Sequence, residues 1–161
     1  MKSKLSADEI MEFCLYIQQI NASTESVIAV IQKQALPIAS QLSHTNIDPS
    51  RKLFKSLSAL EAASKHQCLR FAKLINLLNA NKLIEVIKLL NKINSKNDKL
   101  VAELHLLVDK FEDYMLIVRK QPELSNVHAA CKSCISALIE CIIEFEIDTK
   151  HLHACIGTRK D

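Results

Sequence analysis

Glycine is almost missing from this chain: Gly157 is the only one in 161 residues, beside three prolines, two tyrosines and no tryptophan. Tight hairpin turns draw on Gly, Asn-Gly and Pro-Gly pairs, and strands draw on aromatics. With that material absent, a sheet is excluded and helices joined by short Asn/Ser/Asp loops are expected. The same absence removes Gly-rich phosphate loops and the strained glycine turn that carries a serine nucleophile. An H-E-x-x-H metal-hydrolase motif is missing as well, and no paired carboxylates fall on the apolar faces. The expectation is a protein without catalytic activity.

Long apolar runs are lacking too. No stretch approaches the ~18 consecutive apolar residues of a membrane span. Met1-Lys2-Ser3-Lys4 opens like a signal peptide, but Leu5-Ser6-Ala7-Asp8-Glu9 supplies no apolar segment after it. A soluble, cytoplasmic protein is expected, with export independent of a signal peptide left open. In that setting the six cysteines read as reduced thiols rather than a disulfide framework.

What is present is a helical pattern. Nearly half of the residues are apolar, and the length suits one domain with a real core. Ser6-x-x-Glu9 is a capping box, with Leu5 and Ile10 placed as a hydrophobic staple. Ile10, Phe13, Cys14 and Ile17 then follow 3/4 spacing, weaken near Asn21, and resume at Val27, Ile28 and Ile31 until Pro37 stops or kinks the helix. Asp48-Pro49 reads as the next helix opening. Leu53, Leu57, Leu60, Ser64, Cys68, Phe71, Ile75 and Leu78 then hold one face. Leu83 to Ile93 and Val101 to Val118 carry two further seams, with Asn94–Asn97 between them as a polar interruption that leaves open two helices or one bent rod. The expected architecture is a single all-α domain over residues 1–161, an up-and-down antiparallel bundle of four to five helices. The helices are placed at about 6–35, 49–79, 81–94, 98–119 and 122–147, with a short turn at 149–156.

The stretch from Pro122 to Gly157 concentrates the chemistry, with four of the six cysteines and three of the six histidines. At 100° per residue, Leu124, Val127, Cys131, Cys134, Ile135, Leu138, Cys141, Ile142 and Phe145 share one face, which places three thiols in a packing stripe. Ile139, Ile143 and Ile147 form a second apolar line, displaced round the helix. Together the lines cover about 200°, against the ~100° of a one-sided surface helix. Either other helices of the chain cover both, or the isoleucine line faces another protein or a second copy.

Cys131-Lys132-Ser133-Cys134 has C-x-x-C spacing, but no strand precedes it and Cys131 lies inside the helix, so a thioredoxin-type site is not expected. A zinc or copper site is the alternative: His128, Cys131 and Cys134 on the helix, with His151, His153 and Cys155 returning after a turn to complete four N/S ligands. With inward-facing thiols, the chain is similar in that respect to the cysteine-rich four-helix bundles that store copper, which carry many more. Phosphotransfer bundles display His followed by Lys at +3 and Gly at +4; His128 has Lys132 at +4 and no Gly.

Charge is segregated. Residues 51–120 carry fourteen Lys and Arg against seven acids, while the flanking segments are net acidic. Lys82, Lys88, Lys92, Lys96 and Lys99 gather on one side of their helix. Lys outnumbers Arg by 17 to 4, which favours solvated point charges over bidentate recognition. No aromatic lies between Phe71 and Phe111 to stack on bases, so an acidic protein is a better match than nucleic acid. Glu140, Glu144, Glu146 and Asp148 cluster near the end; this resembles the glutamate-rich C-terminal export signal of bacterial effectors delivered by type IV secretion. The reading as a whole is a protein–protein interaction module, an adaptor, inhibitor or small effector. Its contacts are assigned to Ile139, Ile143, Ile147, Lys88, Lys92 and Lys96, and no cofactor is expected outside the metal alternative.

Overall fold

A computed structural model describes residues 4–45 and 50–157. It is an all-α bundle, with no strand among the described residues. Helix α1 runs Ala7–Val30 and passes through a five-residue π turn, Ile31–Ala35, into α2, Leu36–Leu42. Helices α3 (Ser50–Asn79), α4 (Leu83–Val118) and α5 (Ser125–Gly157) complete four rods. Neighbours round the bundle run α1, α3, α4, α5 and back to α1. Cross-helix contacts and short connections fix the directions. Leu5, just ahead of α1, pairs with Asn81, just past the end of α3. Short connections at residues 80–82 and 119–124 reverse the chain between α3 and α4 and between α4 and α5. Tyr16–His151 and Ser23–Asp148 run in opposite order along α1 and α5, so each adjacent pair is antiparallel. The up-and-down arrangement read from the sequence is the one observed.

The N-terminus folds as its sequence dictates. The Ser6 side chain accepts from the Glu9 N–H, and the Glu9 carboxylate accepts from the Ser6 N–H, closing the capping box at 3.1 Å on both arms. Leu5 is buried, and its backbone is held at the far end of the bundle. The Leu5 N–H donates to Asn81 Oδ1 at 2.8 Å, and Asn81 Nδ2 donates to the Leu5 carbonyl at 3.1 Å. Asn81 stands at φ 57°, the left-handed position that ends α3. There the Lys82 N–H reaches the Leu77 carbonyl and the Asn81 N–H reaches that of Leu78, a Schellman closure. Asparagine serves where glycine is usual, because its amide also clamps the chain start.

Four helix boundaries differ from those expected. Pro37 does not end the first rod. In the π turn the Leu36 N–H bonds to the Ile31 carbonyl, five residues back. This wider ring absorbs the missing donor and the crowding that proline imposes on a tight helix. Asn94–Asn97 is no break: the helices expected at 81–94 and 98–119 are the single 36-residue α4. Asn97 points inward and is paired, and nothing in that segment forbids helical geometry. The turn expected at 149–156 is helix as well, since α5 continues to Gly157. Thr149 is tied to the Phe145 carbonyl and Leu152 is fully buried, which holds this last part on the bundle. The start of α5 is Ser125, after a 3-10 turn at Pro122–Leu124. The Asp48-Pro49 opening lies outside the described residues.

The core is one continuous cluster centred on Phe13, Phe71, Phe111 and Phe145. Its inward cysteines pack as small hydrophobes. Among the polar residues inside, Thr24, Ser64 and Thr149 satisfy themselves by donating to the carbonyl four residues back. Gln67 and Asn97, both without solvent exposure, instead bond to each other between α3 and α4.

Candidate interaction surfaces

The α5 wheel separates as its pattern implies. Val127, Cys131, Cys134, Ile135, Leu138, Cys141, Ile142 and Phe145 are buried, with Leu124 half-buried. Ile139, Ile143 and Ile147 remain 42%, 53% and 49% exposed, so no described part of the chain covers them. Each four-residue step advances about 40° round a helix, and the line therefore slants across the outer face. Its last member reaches the α1 side, where Ile147 lines a groove of about 350 Å³ with Ala22, Ser23, Ser26 and Asp148.

The acidic cluster divides between fold and surface. Asp148 accepts a hydrogen bond from Ser23 of α1. Glu146 meets His105 Nε2 of α4 at 3.2 Å, an exposed pair worth little to stability. Glu140 and Glu144 stay on the outside beside the isoleucine line.

The candidate metal ligands are not brought together. His128 is half-buried in the first turn of α5, Cys131 and Cys134 are buried, His151 and His153 are exposed, and Cys155 is half-buried. The continuous helix separates His128 from His151 by about 35 Å at 1.5 Å per residue, so the expected return of the tail does not form. His151 packs instead on Tyr16 of α1, with ring centroids 5.7 Å apart. Among the described residues, no three His, Cys, Asp or Glu side chains converge on a point that could hold a metal ion. Burial pushes the Cys131 thiol up to about 11. Burial, then the neighbouring Cys131 and Cys141 sulfurs, pushes Cys134 to about 12. Cys14, Cys68, Cys141 and Cys155 are raised in the same direction, again first by burial. Burial thus favours the protonated, less nucleophilic form of these thiols.

Lys88, Lys92, Lys96 and Lys99 are all exposed on α4. The α3–α4 seam beside them carries a feature that spacing alone did not reveal. Gln67 Nε2 donates to the Ile93 carbonyl at 2.9 Å and to Asn97 Oδ1 at 2.7 Å, while Gln67 Oε1 accepts from Arg70 Nη1 at 2.8 Å. Three partners fix the orientation of the amide, since a flip would set its oxygen against two acceptors. The only warning in the sequence was a glutamine at a core register position, between Ser64 and Phe71.

Two depressions lie along this seam. One, of about 460 Å³, has Leu60, Leu106 and Leu107 with Glu103, Asp109 and Asp113 in its lining. The other, of about 200 Å³, is lined by His66, Arg70, Lys96, Lys99 and Glu103 over Ala59, Ala63 and Leu100. No helix among the described residues is long and apolar enough to cross a membrane.

The fold defines the class: an all-α, up-and-down four-helix bundle. Neither a protein-family model, a curated protein nor a solved structure was found to match the chain.

Proposed function

We propose that the chain is a non-catalytic protein–protein interaction module, an adaptor or inhibitor, that docks through the outer face of α5. The observation that carries this reading is the exposure of three isoleucines in one line on a helix whose opposite face is already committed to the core. Scattered exposed apolar residues are ordinary on any protein, and Leu69 and Ile84 are of that kind. A line at i, i+4, i+8 is a different pattern, since it matches the anchors by which an amphipathic helix enters a groove. Glu140 and Glu144 flank the line, so the partner that fits is a different protein with an apolar groove and a basic rim. The exposed row of Lys88, Lys92 and Lys96 supplies a second, electrostatic surface suited to steering an acidic region of that partner.

A photoreactive residue at position 143, introduced in the native cells, tests this. One discrete adduct heavier than the chain by the mass of another protein is expected at 143, and none at the control position 69. An adduct of twice the chain's mass would replace the foreign partner with a second copy. Absence of an adduct at 143, or equal labelling at 69, would remove the proposal.

A further inference from the structure

We propose that the pocket between α3 and α4 formed by His66, Arg70, Lys96 and Lys99 binds a phosphate group of a small soluble ligand. This goes beyond the docking role of α5 and does not depend on it. Gln67 is fully buried and anchored by the Ile93 carbonyl and Asn97 Oδ1, and its own oxygen holds the Arg70 guanidinium by Nη1. Arg70 is half-buried at the pocket wall, and its tether is a neutral amide rather than a carboxylate. An arginine held this way keeps its full positive charge, and its remaining N–H donors are left for an incoming acceptor.

The other lining groups point to the sign of that acceptor. Lys96, Lys99 and His66 surround the same depression of about 200 Å³, with Glu103 as the one carboxylate in its lining. Among the described residues, no carboxylate lies within ion-pairing distance of Arg70, Lys96 or Lys99. Three cationic side chains round one depression against a single carboxylate leave an excess of positive charge, a cost that a bound anion removes. A phosphate suits the site better than a carboxylate. It presents three acceptor oxygens, enough for a guanidinium fork and two ammonium groups at once, and a carboxylate presents two. The pocket's size fits the phosphate and a small body, with Ala59, Ala63 and Leu100 as an apolar floor for the latter. This arginine is also one of only four in a chain whose cations are mostly lysine.

The test uses the full-length protein, isotope-labelled for NMR, with inorganic phosphate and glycerol 3-phosphate as probes at constant ionic strength. Saturable shifts at the Arg70 side-chain N–H and at the amides of His66, Lys96 and Lys99 are expected with both probes. Arg70→Lys keeps the charge but loses the fork, and should weaken binding about tenfold. Lys96→Gln, fully on the surface and without bearing on the fold, should weaken it about threefold. Linear shifts identical to those from chloride would overturn the proposal. So would saturable binding unaffected by both substitutions. Glutamate binding as tightly as phosphate would also overturn it, by assigning the pocket to an acidic peptide.

Discussion

The two flanks of α4 solve opposite problems. Towards α3 the interface takes polar groups inside: Gln67 and Asn97 lie fully buried, joined to each other and through Arg70 to the surface. On α5 the inner face from Val127 to Phe145 is built of apolar side chains and thiols, and the irregularity lies outside, where Ile139 and Ile143 stay exposed. A buried amide is tolerated only when its bonding capacity is filled. Gln67 meets that condition, and Asn97 meets it in part, since its Nδ2 has no partner. Exposed isoleucines cost the isolated bundle little, so they persist without any internal compensation. Buried polarity therefore reports on how the fold is held, whereas exposed apolarity arranged in a line reports on what the fold leaves for something else.

The contrast can be broken from its strongest side first. Phe145→Ala removes a fully buried ring from the inner face of α5 and should cost about 3–5 kcal/mol by denaturant unfolding. On the α3 flank, Gln67→Leu leaves Asn97 and Arg70 without their partner and should cost about 1–3 kcal/mol. Gln67→Leu combined with Asn97→Leu should recover the part of that loss due to Asn97, because only the half-buried Arg70 is then left without its partner. A double-mutant cycle with no coupling would show that the amide pair is not the unit described. At the end of the bundle, Asn81→Gly keeps the left-handed backbone but loses the clamp on Leu5, at a cost of about 1 kcal/mol. Asn81→Ala loses both and should cost about 1 kcal/mol more.

The buried thiols give a pH signature. Cys131 and Cys134 titrate near 9 in the unfolded chain and at about 11 and about 12 in the fold. The folded state holds these protons after the unfolded chain has released them. Their contribution is therefore fully present below pH 9 and is lost progressively as pH rises towards 11–12. Stability measured across that window should fall, and Cys131→Ala with Cys134→Ala should flatten the fall. An unchanged slope would place these thiols in contact with water.

Local signals were the legible ones. The Ser6–Glu9 box and the cysteine stripe each lie within one helix and depend only on spacing, and both appear as read. Most of what the sequence does not show is a partner distant in the chain. At Asn97 the sequence leaves two helices or one rod open, because Gln67, thirty residues earlier, cannot be seen beside it. Asp148 stands in the acidic cluster near the end of the sequence, and Ser23, 125 residues away, takes it into the α1–α5 seam. Pro37 marks a stop or a kink in the sequence, and the π turn that carries the helix through it has no sequence marker. The basic pocket was invisible for the same reason as the amide pair: Arg70 and Lys96 belong to different helices, and only the tertiary register sets them round one space. The isoleucine line, by contrast, was visible at once, but whether the chain covered it was not.

That last point is the centre of the account, and equilibrium unfolding of two single variants tests it most directly. Ile143→Asp on the outer face should cost under about 1 kcal/mol, beside the loss of about 3–5 kcal/mol for Phe145→Ala two residues further on. A cost for Ile143→Asp comparable to that of Phe145→Ala would mean that the chain itself buries this line, and the docking face would not exist.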